Sequence, residues 1–369
     1  MHPDQGITES AAAEAPQRGS AQQIRAFLVN ALSAVGTEDR AAQAVAAALT
    51  EASLRGVDSH GIRLLIHYIH VVESGRINSK PQLSFTQSGP GTGVVHGDNG
   101  FGHYASFFAV EQALRLVTET GIAAVSVTHS SHFGAAGCYV LRAAQLGFVA
   151  FGTCNSDSFV LPHDGLRPFH GTNPIAFAAP VPDERPYLID MATSNIPWNR
   201  VQDLKSQHLS MPPDVSVDKE GEPTLDPAQS AALLPLGGAR YGYKGAALAS
   251  MAEILSAIMT GMPHCSRLLG MGGPDFSTPR HLGHFFIVID PKRFISAELY
   301  ETAMRAYLID LRSQRARAGS QVLAPGDREW AIEAQRREQG IPISKPLAQE
   351  FDRLADRLHI PRLQLGDQS

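Results

Sequence analysis

Residues 121–154, GIAAVSVTHSSHFGAAGCYVLRAAQLGFVAFGTC, decide the fold class. The runs 122–128 and 148–154 are short, apolar and rich in strand-forming residues, whereas 135–146 between them reads as a helix. Strand, helix and strand in that order predict an α/β layer. Working outward, 104–120 reads as a further helix, and 175–179, 187–189 and 284–290 as further strands. On the N-terminal side, Gly89-Pro90-Gly91 and Gly97-Asp98-Asn99-Gly100 punctuate short β-rich runs such as Gly93-Val94-Val95-His96, so the sheet region begins near residue 82.

Helices bracket this layer. Residues 22–35 and 40–54 repeat apolar side chains at helical spacing. Asp58 or Ser59 is placed to cap a third helix, whose apolar side is Leu64, Leu65, Tyr68, Ile69 and Val72 and whose stop is Gly75. Residues 205–240 hold many Pro, Asp and Gly and read as a long ordered excursion. The run 244–260, KGAALASMAEILSAIMT, is apolar on nearly every face and is expected to be a buried helix. Amphipathic helices are expected at 297–317, 327–339 and 347–358, on the surface. The predicted organisation is a flexible tail over 1–20, a discontinuous helical domain (21–80 with about 200–272 and 296–369), and an α/β domain (about 81–199 with 273–295).

The 369 residues carry 43% hydrophobic and 18% charged side chains, ample for a large core. A net charge of −5, from 31 Lys and Arg against 36 Asp and Glu, with no block of like charge, argues against nucleic acid or an anionic membrane as main partner. Three widely spaced cysteines, Cys138, Cys154 and Cys265, form no C-x-x-C pair and argue against a disulfide framework or a structural zinc. No run reaches the roughly 18 apolar residues of a membrane helix, and the first twenty residues lack the basic start and apolar centre of a secretory signal. A cytoplasmic location is expected.

The nucleotide signatures G-x-G-x-x-G after a strand and G-x-x-x-x-G-K-[ST] are missing, as are G-x-S-x-G and H-E-x-x-H. Histidine is the unusual feature: fifteen copies, with H-x-x-H pairs at His67/His70, His129/His132 and His281/His284. Such a pair on a helix can hold a metal, but the third ligand and carboxylate that a catalytic zinc needs are not apparent. No metal is expected, and His67, His70, His281 and His284 read as packing or surface residues. His60 in DSHG and His132 in SSHFG differ, because each stands at an element boundary beside hydroxyls that can orient an imidazole and a glycine that permits close approach.

DSHG (58–61), SSHFGAAGCY (130–139), CNSD (154–157), GTNPIAFAAP (171–180), DMATS (190–194), DKEGEPTLDP (218–227), GYKGAALASMAEILS (242–256) and LGHFFIVIDP (282–291) occur in the order and spacing of the malate/L-lactate dehydrogenase family, which the chain resembles over nearly its whole length after the tail. The resemblance implies an α/β (α+β) enzyme with a non-Rossmann fold. That fold binds NAD or NADP, combines a discontinuous helical part with a mixed-sheet part, and works as a homodimer on a small-molecule 2-oxo acid, 2-hydroxy acid or cyclic imino acid. His60 matches the family's acid/base histidine, with Ser59 and Asp190 as relay partners in the imine reductases. In ureidoglycolate dehydrogenases the His132 position takes that role, and both candidates stand. For the cofactor the resemblance points to Ser156, Asp190, Met191, Ala192, Lys244, Gly326, Asp327 and Arg328. Lys244, at a helix start between two glycines, suits a pyrophosphate or a ribose hydroxyl. Tyr68, Thr172 and Asn173 match pocket positions.

Three departures accompany the match. The family usually has an arginine four residues after the DSHG histidine, where a guanidinium fork holds the substrate carboxylate. Here that position is Leu64, and Arg63, the candidate substitute, lies about 100° away on a helix. After DMATS, relatives commonly read A-x-G-K-V where this chain has Pro197-Trp198-Asn199-Arg200-Val201, and His163-Asp164 replaces a glycine-rich turn. These changes suggest an unusual substrate. The alternative is a protein that kept the fold, lost ordinary dehydrogenase chemistry, and now acts as a binding protein or on a different reaction.

Overall fold

The computed structural model describes residues 16–366. In chain order its helices are α1 (Ala21–Ala34), α2 (Asp39–Leu54), α3 (Leu65–Glu73), α4 (Gly102–Thr120), α5 (Gly137–Ala144), α6 (Trp198–Ser206), α7 (Gly238–Tyr241), α8 (Tyr243–Glu253), α9 (Ala297–Arg312), α10 (Asp327–Gln339) and α11 (Lys345–Leu358). Its strands are β1 (Gln17–Gly19), β2 (Ser84–Gly89), β3 (Thr92–His96), β4 (Ile122–Ser130), β5 (Val149–Cys154), β6 (Ile175–Ala179), β7 (Tyr187–Met191), β8 (Ser216–Val217), β9 (Ala232–Leu233), β10 (Leu282–Ile289) and β11 (Ile341–Ile343).

The expected strand–helix–strand over 121–154 is β4, α5 and β5. These two strands are not neighbours, because β10, arriving from far along the chain, lies between them and pairs antiparallel with both. The seven-stranded sheet runs β2-β3-β4-β10-β5-β6-β7, with β3 and β4 parallel and the other five pairs antiparallel. It is therefore a mixed sheet in an α/β fold. Buried Val125, Val127, Ala150, Phe286 and Val288 from its central strands join Ala105, Ala109 and Ala113 of α4 and Tyr139, Val140 and Ala143 of α5 in one core. A second core gathers α1, α2, α3 and α11 around Leu28, Leu49, Tyr68 and Phe351. Alanine-rich α2 touches both, since Ala41, Ala42 and Ala46 face the helices while Ala48 and Ala52 face the sheet. Small side chains permit that close approach on two sides.

The tail expected over the first twenty residues ends earlier: β1 pairs with β11, and Ser20 caps α1 in a reciprocal box with Gln23. The part of that expectation covering 1–15 lies outside the described residues. The run 244–260 is a helix, α8 continued by a π turn over Ile254–Ile258, but it is not buried all round. Ala249, Ala252 and Ala257 face the protein, whereas Met251, Ile254, Ile258 and Met259 are 37–60% exposed on the other side. The third helix also starts later than expected. Residues 58–64 form two 3₁₀ turns, and α3 begins at Leu65. No helix among the described residues is long and apolar enough to cross a membrane.

Candidate active site

Two turns bring the candidate histidines together. The first ends β4, where His129 takes a left-handed conformation (φ 49°) beside a register shift in the pairing with β10, Ser130 still pairing with Leu282. Ser131 fastens this turn to the start of α4, donating to the Gly100 carbonyl (2.9 Å) and accepting from the Gly102 N–H (3.0 Å). The second is the 58–64 segment. Arg336 of α10 clamps the Asp58 carboxylate with two hydrogen bonds, 2.6 and 2.8 Å, so Asp58 serves a long-range ion pair rather than a helix cap. Gly61 lies against Ser53, whose hydroxyl accepts from the Ile62 N–H at 3.0 Å; a Cβ at position 61 would collide with that hydroxyl.

The His60 and His132 rings stack with centroids 5.8 Å apart and planes 23° from parallel. Both are half-buried, open enough to meet a small molecule. The Ser59 hydroxyl lies 2.9 Å from His60 Nδ1, and the fully buried Tyr68 hydroxyl lies 2.7 Å from His132 Nδ1. Tyr68 Oη is also 3.4 Å from Nε2 of buried His103. The Tyr68 hydroxyl has one proton to give. The assignment that satisfies every donor runs from His103 Nε2–H to Tyr68 oxygen and from Tyr68 O–H to His132 Nδ1. His103 Nδ1, which meets no partner, is then a bare acceptor rather than a buried N–H. Both candidates thus have Nδ1 engaged and, among the described residues, no hydrogen-bond partner at Nε2. Burial, reinforced by the Arg63 charge, pushes His60 down to about 4, and burial beside His60, His103 and Arg280 pushes His132 well below the usual histidine range.

Ser59 is joined to His60, but Asp190 is directed elsewhere: its carboxylate accepts from the Gly137 N–H at 2.8 Å. Burial raises Asp190 to about 6, opposed by the Gly137 bond and the Arg55 charge. A chain of hydrogen bonds runs from Ser156 through the segments that carry other residues matched to the cofactor. The Ser156 N–H donates to Asn173 Oδ1 (3.1 Å), and the Ser156 and Thr172 hydroxyls are 3.2 Å apart. The Thr172 carbonyl accepts from the Thr193 N–H (2.9 Å), the Thr193 carbonyl from the Leu236 N–H (2.8 Å), and the Leu236 carbonyl from the Gly245 N–H (3.1 Å). Ala192 and Lys244 adjoin the links Thr193 and Gly245, and Met191 precedes Ala192 at the end of β7. The 326–328 turn docks on the same strand, where the Leu188 N–H donates to the Pro325 carbonyl. Asp327 there is held by Arg312 at 2.7 and 3.0 Å, while exposed Arg328 pairs with Glu329.

These residues fit a dinucleotide. Exposed Lys244 has no carboxylate partner among the described residues, its ammonium meeting only the Tyr241 and Tyr243 rings at 5.6 and 5.9 Å, so its charge is available to a phosphate. Gly245 lets α8 start directly against Leu236, where a Cβ would strike backbone.

Arg63 does not lie on an α-helix face, although its charge reaches His60. It sits in a 3₁₀ turn and pairs with Asp203 of α6 at 3.1 Å. The Pro197–Val201 departure is the start of α6, where Trp198 stacks on Phe159 (5.0 Å, 9°) and Asn199 donates to the Ser59 carbonyl at 3.0 Å. Of the H-x-x-H pairs, His67 and His70 both pack against the Phe276 ring, at 6.5 and 4.6 Å. His129 stacks on His96, while buried His284 bonds Ser106 (2.8 Å) and lies 3.2 Å from the Ser131 carbonyl.

Four residues near the histidines escaped the sequence reading: His103, Arg76, Asp157 and Arg280. Asp157 is in the quoted CNSD motif, and Arg280 directly precedes an H-x-x-H pair, but neither position signals burial. All four are buried, with Arg280 and Asp157 in contact as an ion pair.

The malate/L-lactate dehydrogenase family model matches residues 20–352. The chain is 33% identical to ureidoglycolate dehydrogenase (NAD(+)) of Escherichia coli K12, over 88% of this chain and 92% of that one. It is also 33% identical to (2R)-3-sulfolactate dehydrogenase (NADP(+)) of Chromohalobacter salexigens, over 89% and 95%. Among solved structures, malate dehydrogenase from Entamoeba histolytica superposes with a TM-score of 0.89 at 29% identity, covering 94% of this chain and 99% of that one.

Proposed function

Because the chain belongs to the malate/L-lactate dehydrogenase family, we propose that this NAD(P)-dependent oxidoreductase interconverts a small 2-oxo acid, or a cyclic imino acid, with its reduced form, one of the two stacked histidines exchanging the proton. The nicotinamide supplies or accepts the hydride. Ser156, Asp190–Ala192, Lys244 and the 326–328 turn would hold the dinucleotide, with Thr172 and Asn173 lining the pocket beside it.

The observation that carries this reading is the pair of imidazoles with Nδ1 engaged by hydroxyls and no hydrogen-bond partner at Nε2 among the described residues. Reduction of a carbonyl adds a hydride to carbon and a proton to oxygen, and an imidazole whose far nitrogen is anchored can present that proton in one direction. In the oxidative direction the neutral imidazole, which burial favours, is the form that takes the proton from the hydroxyl. Oxidative kcat/KM should therefore rise with pH and level off above the low pKa of the working histidine.

The test is loss of nicotinamide absorbance with a panel of 2-oxo acids and cyclic imines against NADH and NADPH, followed by His60→Ala and His132→Ala. One variant is expected to lose 10²–10⁴-fold in kcat, the range of general acid–base catalysis, and the other much less. Full turnover in both variants refutes the proton-transfer assignment. Absence of turnover, with no fluorescence change on adding either cofactor, favours a protein that has lost this chemistry.

The exposed stripe of Met251, Ile254, Ile258 and Met259 supports a homodimer formed through α8, since one apolar helix face rarely stays in water. A monomeric mass by light scattering would rule that out. The absence of a disulfide pattern supports the cytoplasm as its location.

A further inference from the structure

We propose that Glu253 is a positioning residue for the cofactor site, a buried carboxyl group that fixes the Asn173 amide and, through it, the N–H and hydroxyl of Ser156. The inference rests on the reading of Ser156 as part of the dinucleotide site.

Glu253 is the last residue of α8, the helix that carries Lys244 near its start, and it is 5% exposed. A carboxyl group so deeply buried is costly unless its oxygens are engaged, and both are. Oε2 accepts from Asn173 Nδ2 at 2.7 Å, and Oε1 accepts from the Cys265 N–H at 2.8 Å.

The two ends of an asparagine amide have the same shape, so what Asn173 offers depends on which way it is turned. Its Nδ2 also donates to the Ala249 carbonyl (3.0 Å), one helical turn before Glu253. With the amino group held by two acceptors on one face of α8, Oδ1 is left to face Ser156, where it accepts from the N–H (3.1 Å). The Asn173 N–H in turn donates to the Ser156 hydroxyl (3.2 Å), which also lies 3.2 Å from the Thr172 hydroxyl. Asn173 is fully buried and has a left-handed backbone (φ 27°), a conformation that persists where surrounding contacts over-determine it.

Glu253 also reaches a second segment. Cys265 is likewise left-handed (φ 48°), and the nearby Pro263 carbonyl accepts from Asn155 Nδ2 at 2.8 Å. Asn155 adjoins Ser156, so the contacts close a ring that runs from Glu253 through Asn173 and Ser156 to the 263–265 segment and back. The helix changes to a π turn (Ile254–Ile258) directly after Glu253, an irregularity that concentrates at functional sites. Two donors meet this side chain, and only a carboxylate accepts on both sides. A glutamine of the same shape would turn its own amino group against either the Asn173 amino group or the Cys265 N–H.

The test compares wild type, Glu253→Gln, Ser156→Ala and the double variant. Kd for NADH and NADPH is read from nicotinamide fluorescence, and amide hydrogen exchange of 155–158 is followed by mass spectrometry in the cofactor-free protein. Leaving one buried partner unsatisfied is worth about 5- to 30-fold. E253Q should weaken the preferred cofactor by that factor and speed exchange at 155–158 while β3 stays protected. In the S156A background the same change should cost less than about twofold, because Glu253 acts through Ser156. A merely structural role would lower affinity equally in both backgrounds and speed exchange throughout, and either result overturns the proposal. So does E253Q with wild-type Kd and wild-type exchange. Should E253Q not fold, Glu253→Asp, which keeps the carboxylate but is one methylene too short to span both donors, is read by the same criteria. If wild type binds neither cofactor, the functional reading fails and takes the cofactor role of Glu253 with it; binding that is equal in wild type and E253Q sinks this proposal alone.

Discussion

Replacing Tyr68 by phenylalanine removes one oxygen from a fully buried side chain and tests how His132 is held. That oxygen lies 2.7 Å from His132 Nδ1 and 3.4 Å from His103 Nε2. Its loss leaves the His103 N–H without an acceptor and His132 Nδ1 without its donor, since neither nitrogen has another hydrogen bond among the described residues. Leaving a buried group unsatisfied costs about 1–3 kcal/mol. For 369 residues, an unfolding entropy near 2.1 cal/mol/K per residue sums to about 0.8 kcal/mol/K, so a loss of about 2 kcal/mol lowers Tm by about 2–3 °C. The effect on turnover is separable. Without the Tyr68 O–H, the His132 ring is free to change tautomer and to tilt, and if His132 moves the proton, kcat should fall about 10- to 100-fold, part of the range that general acid–base catalysis supplies. The assay is a double-mutant cycle of Y68F with H132A, read by steady-state kinetics and calorimetry. The two kcat losses should fail to add, because both act through one imidazole. A Y68F loss of equal size in the H132A background refutes the argument, and a Tm unchanged by Y68F refutes the hydrogen bond itself.

Acid should destabilise the fold. Burial holds His60 near 4 and both His103 and His284 near 3, so the folded protein keeps them neutral while the unfolded chain takes up protons below about 6.5. Their contribution is complete above that pH, is lost as pH falls toward 3–4 at about 1.4 kcal/mol per pH unit for each group, and is read from urea midpoints between pH 7 and 4. Asp190, raised to about 6, works in the opposite sense, its contribution present below its ordinary value and lost as pH rises through 6. As one group against three, it should soften the trend without reversing it; midpoints that do not fall with acid would contradict the buried neutral histidines. Gly61→Ala should cost about 1–3 kcal/mol, because the added methyl would displace the Ser53 hydroxyl from the Ile62 N–H although φ at this position suits any residue; equal Tm values would show that the turn yields. Asn199→Ala removes the 3.0 Å bond to the Ser59 carbonyl and should lower kcat/KM about fivefold with nearly unchanged Tm, consistent with a tether worth about 1 kcal/mol.

Local patterns made much of the fold legible. The strand–helix–strand over 121–154, the first two helices and the C-terminal helices follow from side-chain period, a property of neighbours along the chain. The quoted motifs marked the segments that hold His60, His132, Ser156, Asp190 and Lys244, because each is a contiguous string. The misreadings have a common origin. Asp58 looked like a cap until Arg336, 278 residues away, took its carboxylate. The run 244–260 looked buried because composition does not say which face meets the sheet.

What the sequence determined by itself is the set of elements, their order and the chemical types available at each boundary, since these depend on interactions between residues a few positions apart. Which elements became neighbours was decided only in three dimensions. Insertion of β10 between β4 and β5 brought Arg280, just before it, into an ion pair with Asp157 and within reach of His132 for its charge, and the crossing of α3 under the histidine turn delivered the Tyr68 hydroxyl to His132. The physical reason is that strand pairing and side-chain packing join distant segments through burial, and burial is a property of the assembled core rather than of any stretch of chain.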